Sequence, residues 1–253
     1  MPRPIALLPT AREGLPSAAE PDAHLDKFEP LTFILVAPIL LFSMVAHEYA
    51  HGYAALKQGD NTAYMLGRLT WNPLKHIDPV MTIIMPLLTF FTMGVAFGGA
   101  KPVPVNPRLY RNYKRGDIIV SLAGIVTNLI LAVLLVLAVA VFGKIYRVVP
   151  ALGNTLALLQ LMFVYGIIIN LVLASFNLIP IPPLDGSHVM KHLLPAKWSL
   201  TYQRIAPYGF FILIALLSFG RPVVNLWMAP IFTLFEWAQR HLAPYMIPSQ
   251  WTS

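Results

Sequence analysis

An all-α, polytopic bundle of membrane helices is the fold the sequence predicts, and three observations predict it. Of the 253 residues 57% are hydrophobic and only 11% charged. The mean hydropathy is +0.65, far from that of soluble domains. Uninterrupted apolar runs recur along the chain at about the length needed to cross a hydrocarbon core of ~30 Å. We expect about five to six membrane segments, one of them re-entrant, with short extended segments at the membrane surface.

The first 30 residues hold five acidic and three basic side chains, several prolines and no apolar core of the signal-peptide kind. Residues 1–30 are therefore expected to form a flexible tail. The apolar runs then follow as Leu31 to Leu56, Pro79 to Phe97, Ile118 to Phe142 and Thr155 to Leu178. Two shorter runs, Ile205 to Phe219 and Val223 to Phe235, are joined by Gly220-Arg221-Pro222 and read as a helical hairpin. The expected organisation is a core over residues 31–204 and a C-terminal hairpin and tail over 205–253.

Two polar-looking segments lie between the runs. The first half of LGRLTWNPLKHIDP, Leu66 to Pro79, alternates as a short strand does. In GGAKPVPVNPR, Gly98 to Arg108, the prolines forbid a helix and favour extended backbone. Either segment reads as connecting loop or as an edge able to accept another chain as an added strand. In AGIVTN, Ala123 to Asn128, Gly124 and Asn128 stand one helical turn apart, the pattern of close helix packing with an asparagine hydrogen bond across the contact.

Composition also excludes. The chain has no cysteine, so disulfides, thiolate metal ligands and a cysteine nucleophile are ruled out. A net charge of +7 sits in short loops between apolar runs, the distribution of cytosolic membrane loops rather than of a nucleic-acid surface.

The chemistry lies in VAHEYAH, Val45 to His51, well inside the first apolar run. His47 and His51 are four apart, so on a helix their imidazoles share one face and can converge on one ion. Glu48 stands beside them as a general base for water. That is the H-E-x-x-H arrangement of metal-assisted hydrolysis, and zinc suits its nitrogen ligands best. A glutamate at this depth costs on the order of 2–3 kcal/mol unless it faces a partner or water, which favours function. A catalytic zinc site needs a third protein ligand. Asp185, at the end of NLIPIPPLDG after the fourth run, is the candidate, because Pro180, Pro182 and Pro183 break the helix there and membrane-depth irregular backbone must line protein or a wet cavity. His188 and His192, again four apart, read as a helix face near the site, and His76 as a hydrogen-bonding loop residue.

These segments together resemble the site-2 proteases, intramembrane zinc metalloproteases, over most of Leu31 to His192. The resemblance implies His47, His51 and Asp185 as zinc ligands, Glu48 as the base that activates water, and Asn177 as the residue that holds the substrate carbonyl or oxyanion. It also implies transmembrane protein substrates and an active site opening toward the cytosol. Ile125 and Ser187 depart from the family pattern, where a proline and a glycine are usual, but neither position supplies a ligand. A membrane zinc transporter and a catalytically inactive membrane binding protein are the alternative readings.

Joining Asp185 to the histidines requires the first and fourth runs to cross in the same direction. Pro79 to Phe97 is accordingly expected to dip in and return. The loops after residues 57, 98 and 180, with the C-terminal tail, would then share a side carrying 12 lysines and arginines against 6.

Overall fold

The computed structural model describes residues 30–93 and 98–248, all helix, turn or irregular chain without a strand among them. The tail expected over residues 1–30 lies outside the described residues, apart from Pro30. Helix α1 spans Pro30–Gln58 and α2 Thr62–Met65. A π-helical stretch, Pro79–Ile84, runs straight into α3, Met85–Met93. The long α4 covers Tyr113–Val148 and α5 Gly153–Asn177. Then come α6 (Asp185–Leu193), α7 (Ala196–Ile205), α8 (Gly209–Phe219) and α9 (Arg221–Leu242). Among the described residues, four stretches are long and apolar enough to cross a membrane: Thr32–Gln58, Tyr113–Val148, Pro150–Asn177 and Ala196–Phe219.

Contacts fix how these helices run. On α1 and α5, Ile39 lies against Gly166 and Ser43 Oγ accepts a 2.9 Å bond from Asn170 Nδ2, so both advance together and the helices are parallel. On α1 and α4, His47 meets Asn128 whereas His51 meets Val120, so these two are antiparallel. The first and fourth apolar runs therefore do share a direction. The chain between α1 and α4 must leave and return at one end of the bundle, and its hydrogen bonds agree. Arg111 N donates to Gln58 O at 2.8 Å, and Asn106 N donates to the buried Asp60 carboxylate. Beyond α3 the chain comes back to the start of the same excursion, where Gly99 N donates to Met81 O at 2.9 Å and Thr82 Oγ1 to Gly99 O at 2.8 Å.

One expectation is corrected. Leu66 to Trp71 does not form a strand, and the segment 99–106 lies beside it without a ladder. The backbone bond to 99–106 comes from the turn that follows instead, Lys101 N donating to His76 O at 2.7 Å. The Arg68 guanidinium supplies the rest, donating to the Lys101 and Pro102 carbonyls. Prolines at 102, 104 and 107 remove the donors a ladder needs. The C-terminal runs form α8 and α9, which meet at Gly220. In α8, Leu213 and Leu217 pack on Ile179 and Leu184 near the end of α5. By contrast α9 runs back along α5, from Trp227 donating to Ser175 O to the following turn at Tyr245, whose carbonyl accepts from the buried Gln160. Gln160 also accepts from Ile247 N, so one amide side chain satisfies three backbone partners and docks the tail between α4 and α5.

Candidate active site

Both histidines of the H-E-x-x-H motif project from the second half of α1 toward α4. His47 lies 11 residues and His51 7 residues before Gln58, the end of α1; at 1.5 Å per residue that is about 16 and 10 Å inside the helix end. Asp185 arrives from the N-terminus of α6, after the turn that the prolines force between α5 and α6. The three donor atoms converge. His47 Nε2 and His51 Nε2 are 2.9 Å apart, and Asp185 Oδ2 lies 3.1 Å from the first and 3.2 Å from the second. Four ligands about 2.0–2.1 Å from a tetrahedral zinc ion stand about 3.3 Å from one another. The triangle is nearly one face of that tetrahedron, so the residues fit the ion. Their side chains are 9%, 12% and 19% exposed, which leaves one side of the cluster open.

The other ring nitrogens fix the tautomers. His51 Nδ1 donates to the Val120 carbonyl at 2.7 Å, and His47 Nδ1 donates to Asn128 Oδ1 at 3.2 Å. With Nδ1 protonated on both rings, both Nε2 lone pairs face the shared point. Between the two partners on α4 comes Gly124, where an added Cβ would lie 2.5 Å from His47 Nε2 and 2.6 Å from His51 Nε2. The AGIVTN segment does pack helices, as its pattern suggests, but what it packs against is the ligand pair itself.

Glu48 is engaged by the segment 99–106. Its Oε2 accepts a 2.7 Å bond from Val103 N, and the Val103 side chain lies over Gly52 one turn further along α1. The carboxylate is thus adjacent to the cluster without being a member of it.

The remaining sequence candidates divide. Asn177, at the end of α5, donates Nδ2 to Leu173 O at 2.9 Å in its own helix, and no hydrogen bond joins it to the cluster. His76 is fully buried and donates Nε2 to Thr70 O at 2.9 Å, a loop hydrogen bond as expected. His188 and His192 both turn to Asp117 of α4 and not to the metal cluster. Ser187 and Ile125, the two departures from the family pattern, are buried at 5% exposure and neither belongs to the cluster. Residue chemistry alone missed the Val120 carbonyl, since a backbone oxygen leaves no mark in a motif, and it read Gly124 as a close helix contact without showing that the contact is the ligand pair. Asp117 did leave a signal, a lone carboxylate opening an apolar helix, with Lys191 and His192 available to pair with it.

Comparison with known proteins agrees with this geometry. Residues 151–220 match peptidase family M50. A Bacillus subtilis (strain 168) protein, YwhC, provisionally named a zinc metalloprotease, is 36% identical over 189 residues, covering 74% of this chain and 80% of that one. Rip2 of Mycolicibacterium smegmatis, named in the same way, is 34% identical over 220 residues, 84% of this chain and 77% of that one. A third relative so named, MJ0611 of Methanocaldococcus jannaschii, is 26% identical over 190 residues, or 74% and 84% of the two chains. No solved structure matches the chain. With the two histidines and the aspartate gathered on one point inside a helix bundle, and relatives at this identity spanning most of its length, the chain belongs to peptidase family M50, the site-2 proteases, and is an intramembrane zinc metalloprotease.

Proposed function

We propose that the protein cleaves transmembrane proteins, single-pass ones or remnants already trimmed by another protease, at a site opening toward the cytosol. The observation that carries the reading is the His47–His51–Asp185 triangle inside the membrane-crossing bundle, with Glu48, whose carboxylate accepts from Val103 N, next to His47 on the same helix. His47, His51 and Asp185 would hold a zinc ion, which would supply Lewis-acid polarisation of the scissile carbonyl and lower the pKa of water toward neutrality. Glu48 takes the proton of the attacking water and returns it to the leaving amine nitrogen. Asn177 holds the developing oxyanion through Nδ2, for which its amide must leave the Leu173 carbonyl. Residues 31–204 form the proteolytic core, and the segment after 205 lines it.

A helical substrate hides its amides in its own hydrogen bonds and must be unwound before cleavage. The segment 99–106 suits that task, because its chain is extended, proline-rich and anchored at Glu48 and Asp60 on either side of Gly52.

The run Pro79–Met93 re-enters, in this reading, and the membrane face that α1 and α5 end on is cytosolic. Its loops are the basic ones. Arg221 opens α9 at that end and Arg240 closes it at the other, so exchanging the two leaves the balance of 12 to 6 unchanged. The chain lacks cysteine, so one introduced at the exposed Lys101 is a unique label site. We expect it to react with a membrane-impermeant thiol reagent only when the cytosolic face is opened; labelling confined to intact cells from outside rejects the orientation. The activity itself is tested with purified protein and a model transmembrane peptide. Cleavage should stop on chelation and return with zinc, and cleavage that survives complete metal removal defeats the assignment.

A further inference from the structure

Asp117 is 2% exposed on α4, yet it belongs to no part of the metal cluster. Its Oδ2 lies 2.6 Å from Lys191 Nζ and 2.7 Å from His192 Nε2, and its Oδ1 lies 3.3 Å from His188 Nδ1. All three partners sit on α6, the nine-residue helix whose first residue is Asp185. His188 and His192 come three and seven residues after Asp185, so the ligand and the partners of Asp117 share one helix face turned to α4. Lys191 fills the space between them, its Nζ also 5.7 Å above the Tyr113 ring. An ammonium at that point excludes a second metal ion there.

The opposite end of α6 is held differently. A Cβ on Gly186 would run into the Leu178 carbonyl, so the start of the helix lies directly on the end of α5. Asp185 is therefore carried by a short rigid rod with one end seated on α5 and the other tied to α4 by a buried carboxylate. On α4, Asp117 stands seven residues, about 10 Å, from Gly124. Val120, Gly124 and Asn128 set the two histidines. Asp117 lies on the same face of the same helix, spaced by three, seven and eleven residues.

We propose that Asp117 is the positioning residue for the third zinc ligand: through Lys191 and His192 it fixes the rotation and height of α6, and so holds Asp185 Oδ2 against the histidine pair. The role rests on the zinc assignment above. A buried carboxylate that only filled space could be replaced by a well-packed apolar residue; one that gathers three donors from a single helix sets that helix's register.

The test is zinc affinity of the full-length protein in detergent, measured by competition with a chromophoric chelator, in a double-mutant cycle. Asp117→Asn should weaken zinc binding by about 10- to 100-fold, the range found when a residue behind a metal ligand is lost. In an Asp185→Ala background the same substitution should add no further loss, because the ligand it acts through is gone. A merely structural role would weaken binding equally in both backgrounds, and that result overturns the proposal, as does unchanged affinity in Asp117→Asn. If Asp117→Asn yields no folded protein, Lys191→Met, whose side chain is 13% exposed, carries the same cycle with the same expected sign and the same overturning outcomes. Wild-type protein without zinc affinity overturns the metal assignment and this role together, whereas normal wild-type affinity with an additive cycle overturns this role alone.

Discussion

Glu48→Gln should leave a protein that binds zinc as the wild type does and cuts its substrate slower by a factor of about 10² to 10⁴, the usual contribution of a positioned general base. The separation follows from the geometry. Glu48 contributes no atom to the triangle of His47, His51 and Asp185, and its carboxylate accepts a hydrogen bond from Val103 N. A glutamine keeps that acceptor in its amide oxygen, so the segment 99–106 stays docked while the proton-accepting oxygen is lost. His47→Ala should behave differently. It removes one of three ligand atoms and leaves the Asn128 amide buried without its partner, so zinc and activity should vanish together. Zinc per chain by atomic absorption, set against the rate of peptide cleavage, checks both. An active Glu48→Gln protein defeats the assignment of the base, and an inactive one that has also lost zinc shows that Glu48 is part of the metal site.

How much of this was legible in the sequence depends on where each contribution resides. Apolar length predicted α1, α4 and α5, because crossing a hydrocarbon layer is a property of composition and length alone. The ligands were legible because imidazole and carboxylate are costly in that setting and their spacing says which can meet. The single direction of α1 and α5 followed from requiring Asp185 to reach His47. Failures fall where partners decide. Alternation from Leu66 to Trp71 resembled a strand, but a strand exists only if a neighbour supplies a ladder, and the neighbouring segment is too rich in proline to do so. For the C-terminal runs, hydrophobicity could not tell that α8 would pack on Ile179 and Leu184 while only α9 runs the length of α5. The largest omission was α4. It donates no ligand, and it holds the ligands through a backbone carbonyl, an amide and a missing side chain.

That missing side chain gives the sharpest test of the arrangement. In an exposed helix Gly→Ala is stabilising by about 1 kcal/mol through helix propensity alone. Gly124→Ala should do the reverse to function. The new methyl carbon would stand 2.5 Å from both Cε1 and Nε2 of His47 and 2.6 Å from Nε2 of His51, where ordinary contacts are 3.4–4 Å. The rings cannot step aside freely, since the Val120 carbonyl and the Asn128 amide grip them from the same helix that carries the methyl group. Relief must come from α4 moving off α1, or from the imidazoles rotating out of convergence. Either motion, on the order of an ångström, exceeds the ±0.2 Å within which a zinc site holds its ligands. Zinc affinity should fall by a factor on the order of 100 or more and cleavage with it, while circular dichroism shows the helical content unchanged. A Gly124→Ala protein with full zinc and full activity would mean that α4 can retreat without disturbing the ligands, and the account of α4 as the template of the metal site would then be wrong.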